Sequence, residues 1–444
     1  ALNIVTHANM RQGQFGKLYA GYGYDADTKT EAKNKYVVGG NANIFSGSSR
    51  VSVIGLFNNI NQQNFSFEDI LGTTDRSGRK SPNNSFMVRP LDGISTVQAI
   101  GVNYSDDWGA KGKVTASYFF NRTDNRNTSQ SDRQTFTSTD KLVLYNDENR
   151  SKTLNLNHRF NSRIDYKFSD RHSVMMRTSF SLQDNNSRNE LRSRTDNKFS
   201  DDDIRFVYRR RNFGHNNSDG YNVSNYLLYR YRLPGAKSHN LTVGAGGTYR
   251  SYEQLSRPRQ YTFRDPDNIE CDTSDYSSRN ITRTDRDQPG YDVNGNVSYT
   301  RSLSKRSRLS FEYRINYTDN SVERNTFVLT KENVFPDERN PRQSTEYDYA
   351  YLTHRIGSTY QYYFKKTKIA GTLHYQHAAF SSDYAFPYAR KTETSFDNLT
   401  YSVVANINVN RNNTLKFNAS GRTSNPRATD LQDIVNTTNR QNVF

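Results

Sequence analysis

Tyr291-Asp292-Val293-Asn294-Gly295-Asn296-Val297-Ser298-Tyr299-Thr300 is the stretch on which the fold turns. Successive side chains of an extended chain point to opposite sides of a sheet. Its odd positions therefore build a face of Tyr, Val, Gly, Val and Tyr, and its even positions one of Asp, Asn, Asn, Ser and Thr. Such a strand lies between an apolar phase and water. The next segment repeats the pattern, with Leu309, Phe311, Tyr313, Ile315 and Tyr317 against Arg308, Ser310, Glu312, Arg314 and Asn316. Near the end of the chain Leu415, Phe417, Ala419 and Gly421 stand against Thr414, Lys416, Asn418, Ser420 and Arg422.

Working outward in both directions, about fifteen segments of this kind can be drawn. They begin near residues 14, 34, 50, 93, 112, 151, 172, 219, 239, 290, 308, 347, 368, 393 and 413. Each runs for roughly ten residues or more, longer than the usual strand of about five or six. Joints alternate in length. Short turn-rich ones, such as Ser46-Gly47-Ser48-Ser49, Ser169-Asp170-Arg171-His172 and Lys305-Arg306-Ser307, alternate with long polar connections near 25–33, 61–92, 124–150, 187–218, 254–289, 319–345 and 382–395. Strands of about ten residues match the tilted span of a bilayer. Apolar-out, polar-in alternation with short turns at one end and long loops at the other matches an antiparallel transmembrane β-barrel. Aromatic residues at strand ends, as in Tyr229-Arg230-Tyr231 and Tyr360-Gln361-Tyr362-Tyr363-Phe364, fit an interfacial girdle.

Composition agrees. The chain has 444 residues and is 33% hydrophobic, well short of the roughly 45–50% apolar content of ordinary globular chains. A barrel needs no second layer, because lipid supplies the apolar phase. Disorder is excluded by the 13% of aromatic residues, recurring on the two-residue beat. A soluble Tyr-rich sandwich or propeller would also alternate, but with shorter strands and more Leu, Ile and Val for a second inward face. The net charge of +16 fits nucleic acid, an anionic membrane surface or a polar basic interior, and does not choose among them. One cysteine, Cys271, excludes an internal disulfide framework and a multi-cysteine metal cluster.

Leu2-Asn3-Ile4-Val5-Thr6 and Phe15-Gly16-Lys17-Leu18-Tyr19-Ala20-Gly21-Tyr22-Gly23 resemble, respectively, the end of the plug domain and the first barrel strand of the family of TonB-dependent-receptor-like outer-membrane proteins of Bacteroidota. Asn58-Asn59-Ile60-Asn61-Gln62-Gln63-Asn64-Phe65-Ser66 looks like the entry to its second outer loop, with a short helix over Phe65 to Leu71. Ser424-Asn425-Pro426 with Leu431-Gln432-Asp433-Ile434 resembles a polar segment that follows a later strand.

The resemblance implies a barrel of twenty-two strands around a plug, of which about fifteen are visible. It also implies energy-coupled uptake of a nutrient across the bacterial outer membrane. The expected organisation is a residual plug end or linker over 1–12, barrel strands and loops over 13–424, and a polar loop over 425–444. No energy-coupling box is recognisable, and the chain is expected to be an internal piece lacking the plug ahead and roughly seven strands behind. Expected partners are outer-membrane lipid and lipopolysaccharide, the plug domain, the TonB energy-coupling complex and a surface lipoprotein, with no nucleic acid. A barrel of structural or adhesive role without transport is the alternative.

No catalytic constellation or cofactor site emerges, so the chain is expected not to be an enzyme. His374 and His377 are three apart on an alternating strand and so face opposite sides, which excludes a shared metal. Gly244, Gly246 and Gly247 lack the Lys-Ser/Thr pair of a phosphate loop and read as strand glycines beside aromatic rings. The acidic runs Asp265, Asp267, Glu270, Asp272, Asp275 and Asp201-Asp202-Asp203 lack the spaced ligands and turn glycine of a calcium loop, and read as solvated. The densest basic run, Tyr208-Arg209-Arg210-Arg211-Asn212, is expected in an outer loop, contacting lipopolysaccharide phosphate or another anion. Arg159, Arg163, Lys167, Glu312, Arg314 and Lys416 are expected to face the lumen.

Overall fold

The computed structural model describes residues 12–26, 33–63, 91–138, 141–199, 203–234, 239–330, 333–364, 367–408, 413–424 and 426. The plug-end segment up to residue 11, the Phe65–Leu71 helix, Asp201-Asp202 and the tail after 426 lie outside the described residues. All regular structure among the described residues is β. Seventeen strands belong to one sheet: β1 Gln12–Tyr24, β2 Asn34–Ser46, β3 Ser49–Asn58, β4 Ile94–Trp108, β5 Gly112–Ser138, β6 Lys141–Lys167, β7 His172–Lys198, β8 Ile204–Arg232, β9 His239–Ser256, β10 Arg259–Phe263, β11 Ser278–Asp287, β12 Gly290–Ser302, β13 Ser307–Val328, β14 Thr345–Phe364, β15 Thr367–Phe386, β16 Arg390–Asn408 and β17 Thr414–Gly421.

Every pairing is antiparallel, and consecutive strands pair from β1 through to β9 and from β12 through to β17. This is the wall of an antiparallel β-barrel. β9 and β10 are one line of chain broken at Arg257-Pro258, since both pair with β8 in unbroken register. In the same way β11 and β12 are one line broken at Gln288-Pro289, both pairing with β9 and β13. Proline has no N–H to give the ladder, and the strand is interrupted there without changing course. Merging each pair leaves fifteen spans, the number the alternation predicts.

Short turns form where the sequence places them. Gly47 and Gly109 take φ of +62° and +65°, left-handed values that favour glycine. At two others a serine closes the turn. Ser169 Oγ accepts the amides of Arg171 and His172, both at 3.2 Å, and Ser304 Oγ those of Arg306 and Ser307, both at 3.1 Å.

The long connections differ from the sequence expectation. β5, β6 and β7 run for 27 residues each and β8 for 29, so most of 124–150 and 187–218 is strand rather than loop. Here polar residues occupy both faces and alternation vanishes, while the backbone ladder continues. In place of alternation, arginines pair with a carboxylate two positions away on the same strand face, as in Arg150–Glu148, Arg192–Glu190 and Arg194–Asp196.

Register fixes two faces across the whole sheet. One carries exposed apolar side chains from edge to edge, among them Val38, Ile100, Tyr118, Phe160, Phe180, Leu227, Val243, Val297, Phe311, Ile356, Leu373 and Leu399. On this face Trp108, Tyr166, Tyr229 and Tyr231 gather at the short-turn end, with His172 stacked on Tyr231 at 4.7 Å. Towards the other end Tyr221, Tyr249, Tyr291 and Tyr317 form a second belt, with ring centroids 5.8 Å apart for Tyr221–Tyr249 and 6.0 Å for Tyr291–Tyr317. Ten residues separate Tyr231 from Tyr221, so at ~3.3 Å per residue and a tilt near 40° the belts stand roughly 25 Å apart.

Just past the second belt the same register aligns six carboxylates. Asp184 pairs Asp219, Asp219 pairs Glu253, Glu253 pairs Asp287, Asp287 pairs Glu323, and Glu323 pairs Glu346. Residues directly opposite in antiparallel strands share a face. The six therefore form one ladder across the wall.

Candidate functional site

The polar face carries the features that a lumen would need. All six residues expected there lie on it. Arg159 and Arg163 of β6 pair with Phe119 and Thr115 of β5, Lys167 shares their parity, Glu312 and Arg314 of β13 pair with Gly357 and Arg355, and Lys416 of β17 pairs with Asn406. Arg163 is held by Asp165 at 2.5 Å and Arg314 by Glu312 at 2.6 Å.

The structure brings Arg314 beside residues from four other strands. A pocket of about 470 Å³ is lined by Tyr226, Asn296, Arg314, Asn316, Arg355 and Gln376, among others. Arg355 Nη2 contacts His374 Nδ1 at 3.0 Å, while its Nε is buried with no hydrogen-bond partner. Tyr226 lies over Gly244 and Gly246 and donates from its hydroxyl to Asn296 Oδ1 at 2.9 Å. A Cβ at Gly244 would collide with the Tyr226 hydroxyl and Asn296 Oδ1. These glycines are thus the seat of an aromatic ring, as expected. A second polar pocket of about 460 Å³ holds Arg159 with Asn157, Asn185, Asn222 and Tyr252.

Sequence reasoning missed two apolar patches on this otherwise polar face. Ile54, Leu56, Val97, Ala99 and Phe119 form one, with Leu56 0% and Phe119 2% exposed. Val322, Tyr347, Tyr351, Phe380 and Tyr384 form the other, where Tyr347 stacks on Tyr384 at 4.8 Å. The Tyr351 hydroxyl donates to the carbonyl of Pro426 at 2.6 Å, which places residue 426, beyond β17, against the polar face of β14. Asn41, Asn43, Ser52, Asn121 and Thr123 flank the first patch; Ser52 Oγ donates to Asn43 Oδ1 at 2.6 Å and Thr123 Oγ1 to Asn121 Oδ1 at 3.0 Å, while Asn121 Nδ2 is buried without a hydrogen-bond partner. The signal was present as Val, Leu and Ile at consecutive positions in 51–57, where both parities are apolar.

The remaining candidates resolve simply. His374 lies on the polar face with Arg355, and His377 on the opposite face, bonded to Asp397 at 2.8 Å. The acidic loop 264–277 is closed by its own backbone: the amide of Asp267 donates to Asp265 Oδ1 at 2.9 Å and that of Ser274 to Asp272 Oδ1 at 3.0 Å. Among the described residues no group of His, Cys, Asp and Glu is arranged to hold a metal ion. Cys271 is buried in this loop, and burial pushes its thiol up.

The basic run 208–211 is strand β8 rather than loop, and its guanidinium groups are engaged within the protein. Arg209 donates to Pro266 O at 2.9 Å, Arg210 stacks on Tyr208 at 4.4 Å, and Arg211 bonds Glu190 at 2.8 Å. Burial pushes the Glu190 carboxyl up, but hydrogen bonds and charge from Arg192 and Arg211 outweigh it and hold it below the usual range.

No protein-family model matches the chain, and no curated protein matches it. Among solved structures, the alcaligin outer-membrane receptor FauA of Bordetella pertussis aligns over 88% of this chain and 76% of its own, at 8% identity and a TM-score of 0.18. A superposition that poor says nothing about shared architecture or role.

Proposed function

We propose that the chain is the barrel of an outer-membrane receptor that takes up a nutrient ligand through its polar lumen, using energy relayed from the inner membrane. The observation that supports the membrane reading is the apolar band about 25 Å tall between two aromatic belts, on the opposite side of the wall from a face rich in Asn, Ser and Arg. A soluble monomer rarely exposes a contiguous apolar surface of that extent. In hydrocarbon only a closed sheet satisfies the backbone.

On this reading selectivity belongs to the lumen. The Arg159 and Arg314 pockets present guanidinium and amide donors suited to ligand oxygens. Binding and passage need no covalent chemistry, in keeping with a role other than catalysis. Plug domain, coupling complex and surface lipoprotein are the partners such a receptor would use. The non-transporting alternative draws support from the polar extensions of β5–β8, whose paired strands run on beyond the band and would serve as a binding surface.

Single cysteines at Arg159, Arg314 and Lys416 test the lumen assignment. They should react with a membrane-impermeant maleimide in vesicles, whereas cysteines at Phe180 and Leu399 should react only with a lipid-soluble reagent. The reverse pattern would sink the assignment. Cell fractionation with heat-modifiable gel mobility tests the membrane reading itself.

A further inference from the structure

We propose that the outward face of β5–β10, above the apolar band, binds the phosphorylated sugar headgroup of outer-leaflet lipopolysaccharide. The inference rests on the outer-membrane reading above. Two adjacent cross-strand rows build the site. Arg126, Lys152, Arg188 and His215 pair in sequence, with Arg257 next beside His215; Thr128, Arg150, Glu190, Phe213 and Arg259 form the parallel row. Between them the backbone of Asn127, Ser151, Asn189 and Gly214 forms the floor of a groove of about 820 Å³.

Arg126, Arg150, Lys152, Arg188, Arg257 and Arg259 line this groove against Glu190 as its one carboxylate. All six cations are exposed. Glu190 is already bonded by Arg192 at 2.9 Å and Arg211 at 2.8 Å, from outside the groove. Arg150 has Glu148 at 2.7 Å, and Lys152 has Asp124 at 3.7 Å. A strong positive excess remains, in a concave site with fixed strand positions, which suits the several oxygens of a phosphorylated sugar.

Position selects the occupant. The parity of these residues is that of Tyr118, Phe160, Phe180 and Tyr221, so the groove opens to the surrounding leaflet and not to the lumen. Six residues separate Tyr221 from His215, which at ~3.3 Å per residue and a tilt near 40° sets the row roughly 15 Å above the upper belt. That height is beyond acyl chains and level with a glycolipid headgroup. Asp184, Asp219 and Glu253 stand between belt and groove and would repel a phosphate at the acyl boundary, so the charges captured are those carried higher, on the saccharide.

The full chain in detergent decides the matter, using purified lipopolysaccharide with a phosphorylated core, the same material dephosphorylated, and inorganic phosphate. The phosphorylated form should bind with salt-sensitive affinity, and Arg126→Gln/Arg188→Gln/Arg257→Gln should weaken it by about tenfold or more while heat-modifiable mobility is kept. Arg314→Gln, on the other face, should leave it unchanged. Equal binding by the triple variant, equal binding of dephosphorylated material, or inorganic phosphate matching the glycolipid would each overturn the proposal. Fractionation of the chain away from the outer membrane would remove the membrane reading, a result distinct from a failure of the groove to bind.

Discussion

The carboxylate ladder gives the sharpest prediction, because like charges directly opposite in antiparallel strands oppose pairing. Asp219, Glu253 and Asp287 are three of its four inner members, all exposed, and the triple change Asp219→Asn/Glu253→Gln/Asp287→Asn removes four of the five adjacent contacts from Asp184 to Glu346. Two carboxylates about 5 Å apart in water repel by ~0.8 kcal/mol. Screening at physiological salt roughly halves that, since the Debye length there is only about 8 Å. Four contacts thus sum to about 3 kcal/mol at low salt and about 1.5 kcal/mol at physiological salt. The assay is urea unfolding in detergent, with chelator present so that divalent cations do not neutralise the row. The triple variant should have the higher midpoint, with a gain that shrinks as salt rises. An unchanged or lower midpoint at low salt, or a gain indifferent to salt, would refute the reasoning.

Three further outcomes follow from single sites. Phe119→Ala should destabilise the β2–β5 region by about 3–5 kcal/mol, as removal of a fully buried aromatic does; a loss under about 1 kcal/mol in the same unfolding assay would mean that the patch is loosely covered. Gly244→Ala should displace Tyr226 from its seat and cost about 1–3 kcal/mol, and Tyr226→Ser in the same chain should recover part of that loss if the clash is the cause. Glu190 has a depressed folded-state pKa, so its support of β7 and β8 is complete above the ordinary glutamate range and is lost as pH falls through the lower folded value. Hydrogen exchange around residues 188–194, corrected for its intrinsic pH dependence, should show the ribbon loosening on acidification in the parent and no such step in Glu190→Gln.

How much was legible in advance depended on what each strand touches. Where one side meets apolar surroundings and the other water, alternation marks the strand, and twelve of the fifteen spans start within about three residues of the expected position, whereas those expected near 151, 219 and 290 start at Lys141, Ile204 and Ser278. The extensions of β5–β8 carry Arg, Asn, Asp and Ser on both sides, so hydropathy has no contrast to report and they read as loops. The stretch 254–289 read as one long connection, and that the chain resumes its line after Pro258 and Pro289 as β10 and β11–β12 depends on neighbouring strands holding register across each gap. That Arg159, Arg163, Lys167, Glu312, Arg314 and Lys416 share the polar face needed parity alone; that this face lines a lumen belongs to the proposed function.

By itself, then, the sequence determined which residues share a face within a strand, because that follows from the two-residue geometry of extended backbone. Which residues share a row was decided only by the tertiary structure. The carboxylate ladder gathers positions from 184 to 346, and the basic groove positions from 126 to 259, through the stagger of long antiparallel ladders. A shift of one residue in a single pairing would turn every partner to the opposite side. That choice is made by packing and hydrogen bonding summed over whole strands, and no local stretch of residues carries it.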